Sequence, residues 1–280
     1  MYQNKLKLSK IFLLLLLFLS VFTLVACDNG ENEGGEPNKK DPDPENIVSH
    51  ETYNIMVGTQ NETTVHIFKS NLPGPKVVIV GGIHGDEVAG WKTALNFVER
   101  ENFFKGEVII IPQAYIRADN MVNRYPGYTA TNGAKYSKSL DLNRNFPGKA
   151  NGTETEQIAY AITQEVEKHD ADYIIDLHES RRSYSNSNPL LGDLLIYGNV
   201  SSSLICYDLV NEFNKSCLKE GEVNFFYDTN APDGAFNQYF GDTYPDKIVF
   251  TVETNRQLKE ARRIEQQTQM LDLLFETIWN

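Results

Sequence analysis

The sequence is poor in cysteine, with three in 280 residues. Cys206 and Cys217 fall in one predicted helix, where a separation of eleven residues gives about 16 Å of rise, too long for a disulfide. We therefore predict that both are buried free thiols. The cysteines indicate neither a disulfide framework nor a metal knuckle.

Basic residues are also scarce, because 26 lysines and arginines stand against 38 acidic residues and leave a net charge of −12. Proteins that bind nucleic acid gain affinity from basic residues on phosphates, so this balance argues against that class. Hydrophobic residues at 41% and charged residues at 23% are typical of a globular protein. The length allows one large domain or two small ones, and no internal repeat is present.

Acidic residues are missing from the first 27 positions, which contain three lysines ahead of an apolar run at 11–25. This run is shorter than a membrane span of about 20 residues and is typical of an export signal. It ends in Leu24-Val25-Ala26-Cys27, which resembles the bacterial lipoprotein box, in which cleavage leaves a lipid-bearing cysteine at the new N-terminus. We predict a lipoprotein signal peptide at 1–27, lipid on Cys27, and a position on the outer face of the bacterial cell membrane. The alternative is a plain signal peptide or an N-terminal membrane helix.

Large apolar side chains are missing from residues 28–46, which are rich in Asn, Gly, Glu, Asp and Pro. Such a segment cannot build a core, and its composition predicts a flexible acidic linker. We place the folded domain at 47–280.

Apolar runs and amphipathic segments alternate along this domain. Strands are predicted at 76–81, 107–111, 173–177, 194–197 and 248–252, a hairpin at 53–70 that turns at 58–61, and helices at 87–100, 154–168, 202–219 and 257–278. This alternation predicts an α/β fold with a mostly parallel central sheet and helices on both faces. Sites in such folds lie at the carboxyl ends of the strands.

Ligand-type residues follow two of these strands. His84 and Glu87 lie in a Gly-rich turn after the first, and Asp176-Leu177-His178 ends another. Two histidines and a carboxylate are a ligand set for catalytic zinc, which keeps one position open, and Asp176 is a candidate partner that orients His178. The alternative reading of the first motif is that Asp86 or Glu87 is an acid at the positive end of a helix. Glu179 is a weaker candidate ligand because alternation points it to the opposite face.

Polar residues in two further segments complete the candidate site. Glu253 follows a run of apolar neighbours and is predicted to act as a general base; its alternative role is to cap the helix near 257. Asn143 and Arg144 lie in the segment Asp141-Leu142-Asn143-Arg144, and an arginine fork suits a substrate carboxylate.

Together these motifs resemble the zinc carboxypeptidase superfamily, and in particular its succinylglutamate desuccinylase/aspartoacylase branch, since Asp86 stands where the digestive enzymes have arginine. The resemblance covers roughly residues 76–255. It implies that His84, Glu87 and His178 bind one zinc ion, that Glu253 is the general base, and that Asn143 and Arg144 bind the carboxylate. The family also has an arginine that polarises the scissile carbonyl, and Arg124 is the best match for it, with Arg117 as runner-up. For the substrate-facing tyrosine of the digestive enzymes, the candidates are Tyr227, Tyr239 and Tyr244.

The leading hypothesis is a membrane-tethered, zinc-dependent hydrolase that cleaves an amide bond in a small substrate with a free carboxylate. The substrate would be an N-acyl amino acid or a short or cell-wall peptide. Arg181 and Arg182 are candidate further contacts, and the alternative is that they form a solvated loop pair. The alternative is a non-catalytic lipoprotein that binds a similar ligand in the same pocket.

Overall fold

The computed structural model describes residues 48–100, 105–128, 135–181 and 192–279. Its strands are β1 (Val48–Ile55), β2 (Thr63–Ser70), β3 (Lys76–Val80), β4 (Glu107–Ile111), β5 (Tyr173–Ser180), β6 (Leu194–Tyr197), β7 (Phe226–Asp228) and β8 (Ile248–Asn255). They form one sheet in the order β1-β2-β4-β3-β5-β8-β6-β7. The core strands β4, β3, β5 and β8 are parallel, whereas β1 with β2, β2 with β4, and β6 with β8 pair antiparallel.

Helices cover both faces of the sheet. They are α1 (Val88–Val98), α2 (Ile116–Met121), α3 (Glu154–His169), α4 (Val200–Ser216), α5 (Phe236–Thr243) and α6 (Glu260–Trp279). One apolar core contains residues of α2, α3 and α5, and the other contains residues of α1, α4 and α6. The predicted α/β class, with a mostly parallel sheet between two helical layers, is confirmed.

The sequence explains why the central strands are buried. The strands β3 and β4 are nearly continuous apolar runs, and β5 begins with one, as expected for strands covered on both faces. Capping residues fix two helix starts: Thr153 and Glu156 form a capping box at α3, and the Asn199 side chain accepts from Ser202 N at α4.

Several features differ from the sequence prediction. The elements α2, α5 and β7 were not predicted, because they are short or lack a long apolar pattern. Cys206 is a buried free thiol, but Cys217 is only partly buried because it follows the last residue of α4. The predicted signal peptide, Cys27 and the linker lie outside the described residues, as does Arg182. In the described part of the chain, no helix combines the length and apolar character needed to cross a bilayer.

Candidate active site

The structure brings His84, Glu87 and His178 together at the ends of β3 and β5. One ligand-type atom from each residue lies within 4.8 Å of the others, and all three residues are buried. Both imidazoles turn Nδ1 toward the Glu87 carboxylate, at 2.9 Å from Oε1 for His84 and 2.7 Å from Oε2 for His178. Two imidazole nitrogens and one carboxylate therefore lie close enough together to bind a single divalent cation.

Glycines allow the turn that carries two of these residues to lie against α2. A Cβ atom on Gly85 would be 2.1 Å from the carbonyl oxygen of Ala118, and a Cβ on Gly82, where φ is +72°, would be 2.4 Å from Asp119 Oδ2. Only glycine permits this approach and this backbone conformation without displacement. Glu87 precedes α1 but makes no capping hydrogen bond, so its carboxylate is directed to the histidines and not to the helix end.

A buried carboxylate lies at the outer nitrogen of each histidine. His84 Nε2 is 2.9 Å from Asp141 Oδ1, and His178 Nε2 is 2.8 Å from Asp176 Oδ2. The Thr251 hydroxyl donates to the other oxygen of Asp176. Carboxylates in this position fix the ring orientation and raise the basicity of a ligating imidazole.

Asp141 connects the cluster of candidate metal ligands to the segment that contains Asn143 and Arg144. Besides its contact with His84, it accepts from Arg124 Nε at 3.0 Å and from the backbone N–H of Asn143 at 3.1 Å. Burial raises its pKa, but the charges of His84, Arg124 and Arg144 outweigh burial and hold the pKa of Asp141 well below its usual range. The sequence analysis assigned no role to Asp141. Its position two residues before the candidate Asn143 was the one signal that could have identified it.

Two arginines contact Glu87 itself. Arg124 Nη1 and Arg256 Nη2 each lie 3.3 Å from Glu87 Oε1, and Arg256 Nη1 is also 3.0 Å from Asp86 Oδ2. Burial raises the pKa of Glu87, but His84 and His178 overcome this effect and keep it well below its usual range. The carboxylate is therefore ionised, as a metal ligand must be. Arg256 was missed by sequence analysis because its partners lie far away in the chain.

Glu253 lies beside the cluster, opposite His178 in the register of β5 and β8. Its Oε2 is buried and has no hydrogen-bond partner among the described residues. Burial and the charge of Glu87 raise the pKa of Glu253 to about 8, while His178 opposes the rise. A carboxyl that titrates near neutral pH is suited to accept and return a proton. Glu253 does not cap α6, which begins seven residues later.

The cluster opens into a cavity of about 390 Å³. Asn143, Arg144, Arg124 and Arg181 all line it, and the Asn143 side-chain oxygen accepts from the backbone N–H of Phe236 at 2.8 Å. This bond ties the Asn-Arg segment to the first turn of α5.

The other candidate residues make their contacts outside the His84–Glu87–His178 cluster. Arg117 pairs with Glu154 at 3.1 Å and does not line the cavity. The Glu179 carboxylate is directed to Arg263 and to the backbone N–H of Ala89. Tyr244 donates to Glu167. Of the described residues that line the cavity, none is tyrosine, so the expected role of Tyr227, Tyr239 or Tyr244 finds no support in this geometry.

Comparison with known proteins bears on these motifs directly. Residues 73–194 match the sequence model of the succinylglutamate desuccinylase/aspartoacylase catalytic domain. This segment, somewhat less than half of the chain, is therefore similar to that family's catalytic domain. The resemblance inferred from the motifs is thus confirmed, and the matched segment includes the candidate ligands and the Asn-Arg pair, whereas Glu253 lies beyond it.

One relative and two solved structures are also similar to this chain. The chain is 35% identical over 113 residues to an N-alpha-acetyl-L-2,4-diaminobutyric acid deacetylase from Halomonas elongata, a match that covers 39% of this chain and 30% of the relative. It is similar in fold to a succinylglutamate desuccinylase from Silicibacter sp. TM1040, with a TM-score of 0.59, 17% identity, and coverage of 82% of this chain and 67% of the other. The mDAP-bound form of Helicobacter pylori Csd4, a D,L-carboxypeptidase, gives a TM-score of 0.62 at 18% identity over 73% of this chain and 51% of the other.

Proposed function

We propose that the chain is a zinc-dependent hydrolase that cleaves an amide bond in a small substrate bearing a free carboxylate. The observation that carries this proposal is the buried His84–Glu87–His178 cluster, which has a carboxylate behind each histidine and Glu253 beside it. The family's deacylases and the carboxypeptidase of similar fold cleave the same kind of bond. The substrate is an N-acyl amino acid or a short or cell-wall peptide.

The donor set fits zinc. Two imidazoles and one carboxylate with room for a further ligand are typical of catalytic zinc sites. Glu253, whose buried Oε2 has no hydrogen-bond partner among the described residues, lines the same cavity. The chemistry that zinc supplies in such sites is Lewis acidity, which polarises a carbonyl and makes water nucleophilic near neutral pH.

Other residues of the chain bind the substrate, transfer the proton and stabilise the developing negative charge. Arg144 holds the substrate carboxylate through a charge-assisted hydrogen bond, and Asn143 keeps Arg144 in place by fixing the segment to α5. Glu253 takes a proton from the attacking water and returns it to the leaving nitrogen. Arg124, held by Asp141, adds positive charge where the carbonyl oxygen becomes negative.

Metal content tests the site first. Elemental analysis of the full-length chain is expected to give one zinc per chain, which is lost in His84→Ala and in His178→Ala. A Glu253→Gln variant should keep its zinc and lose turnover on a panel of N-acyl amino acids and short peptides. A wild type that binds zinc but hydrolyses nothing would indicate a binding protein, and a wild type that takes up no zinc would refute the mechanism.

We also propose that the protein is an exported lipoprotein, anchored through Cys27 to the outer face of the cell membrane. The support is the sequence alone, with a basic start, an apolar run and a small residue before the cysteine. A Cys27→Ser variant should move from the membrane fraction to the soluble fraction and fail to incorporate labelled fatty acid. Unchanged membrane association in that variant would contradict the lipid anchor.

A further inference from the structure

Arg256 lies where three segments of the active site meet. Its backbone N–H donates to the carbonyl oxygen of Ser180 at the end of β5, 2.9 Å away. Its guanidinium reaches the turn before α1, where Nη1 is 3.0 Å from Asp86 Oδ2 and Nη2 is 3.3 Å from Glu87 Oε1. Arg256 itself directly follows β8, the strand that carries Glu253. One residue thus connects the strand of the candidate base to the turn that carries a candidate metal ligand.

The Glu87 carboxylate is held at both of its oxygens. Oε2 accepts from the backbone N–H of Glu179 at 2.9 Å, and Oε1 lies 3.3 Å from a guanidinium nitrogen of Arg124 and of Arg256. In the proposed function Arg124 acts on the substrate carbonyl, which leaves Arg256 as the arginine that stays on Glu87. Asp86 and Arg256 have side chains that are only 13% and 20% exposed, so their ion pair is better shielded from solvent than a surface pair.

We infer that Arg256 is a positioning residue that holds Glu87 in the orientation required for metal binding, with Asp86 as its anchor. A guanidinium is a planar fork that can engage two carboxylates at once, and the neighbouring carboxylates of Asp86 and Glu87 receive one nitrogen each. Without this fork, the Glu87 side chain gains rotamers that turn its carboxylate away from the histidines. The inference rests on the metal site of the proposed function and not on the reaction.

The sign of the effect on zinc binding separates this role from a simple charge effect. A guanidinium repels a nearby cation, so if charge alone mattered, the removal of Arg256 would strengthen zinc binding. If Arg256 orients Glu87, its removal weakens zinc binding, because the ligand must then be ordered when the metal binds. The two roles therefore predict opposite changes in the dissociation constant.

Zinc affinity of the full-length chain, measured by competition with a chromophoric chelator, tests the inference. Arg256→Gln should weaken zinc binding by about 10–100-fold, and Arg256→Lys, which keeps the charge but not the fork, should lie between Arg256→Gln and the wild type. The visible absorption spectrum of the Co²⁺-loaded chain reports the ligand geometry and should change in Arg256→Gln. Arg117→Gln is the matched control, since Arg117 pairs with Glu154 outside the cavity, and it should leave the affinity and the spectrum unchanged.

A double-mutant cycle tests the anchor. Asp86→Asn should weaken zinc binding in the wild-type background and have little further effect in Arg256→Gln, because Asp86 acts through the arginine. Equal effects in the two backgrounds would refute the anchoring role of Asp86. If circular dichroism shows that Arg256→Gln does not fold, Arg256→Lys and Asp86→Asn decide the question, and wild-type zinc affinity in both would refute the inference.

These measurements separate the inference from the proposed function. Zinc binding that is unchanged or tighter in Arg256→Gln refutes the positioning role and leaves the hydrolase standing. Weaker binding in Arg256→Gln, together with no turnover by the zinc-loaded wild type, supports the positioning role and refutes only the hydrolase. A wild type that binds no zinc refutes both.

Discussion

Asp119 is expected to destabilise the protein at neutral pH. It lies on α2 against the turn that carries His84, is 2% exposed, and has no hydrogen-bond partner on either carboxylate oxygen among the described residues. Burial raises the pKa of Asp119 well above its usual range, and the nearby Gln113 side chain, which makes no hydrogen bond of normal geometry to it, opposes the rise only in part. An Asp119→Asn substitution removes the ionisable group with little change in shape.

The sign follows from the raised pKa. Below about pH 3 the carboxyl is protonated in both the folded and the unfolded chain, so it contributes no pH dependence. As the pH rises, the unfolded chain loses this proton first. The wild type then loses about 1.4 kcal/mol of unfolding free energy for each pH unit over which only the folded chain keeps the proton. The asparagine variant has no such loss, and it should be more stable by about 1–3 kcal/mol at pH 7.

Urea unfolding followed by tryptophan fluorescence measures this difference at pH 4.5, 6 and 7.5, with a chelator present for both proteins. The gain in unfolding free energy from Asp119→Asn should increase with pH. Asp272→Asn is the control, because Asp272 is partly exposed and pairs with Arg100, so its effect should stay within about 1 kcal/mol. A gain that is constant across this range, or a loss that increases with pH, would show that the charge of Asp119 is compensated in the fold.

Further predictions concern the supports of the site. Asp176→Asn should weaken zinc binding by about 10–100-fold, measured by competition with a chromophoric chelator, because it removes the charge behind His178; an unchanged affinity would exclude a supporting role. Gly85→Ala should lower the unfolding free energy by at least about 1 kcal/mol in urea titrations, since its Cβ would collide with the backbone of Ala118; a neutral result would mean that α2 is free to shift. Asn143→Ala should lower the unfolding free energy by about 1 kcal/mol and should also lower kcat/KM. Asn143→Asp keeps an acceptor for the backbone N–H of α5, so it should restore stability without restoring activity. Equal stability of the two variants would contradict the hydrogen bond to α5.

Sequence alone predicted the centre of the fold because buried parallel strands are unbroken apolar runs. The candidate ligands were also visible, because His84 follows β3 in the next turn and His178 lies near the end of β5. Periodicity identified the long helices α3 and α6, but it could not detect α5, which has eight residues, or β7, which has three.

Contacts between distant residues were beyond sequence reasoning. Arg256 has an identifiable role only when Asp86, 170 residues earlier, is placed beside it. Asp141 reads as an ordinary turn residue until the fold brings His84 to it. The choice of Arg124 over Arg117 was made from the family pattern, and the structure adds the physical distinction, since only Arg124 reaches Asp141 and Glu87.

The position of Glu87 in the chain has a kinetic consequence for folding. It contacts His178 and the backbone N–H of Glu179, which lie 91 and 92 residues further along. Loop closure over such a distance is entropically unfavourable, so these contacts form only after β3 and β5 have aligned. Local helices such as α3 can form earlier, and during refolding the capacity to bind a metal through three ligands should therefore recover later than helical circular dichroism.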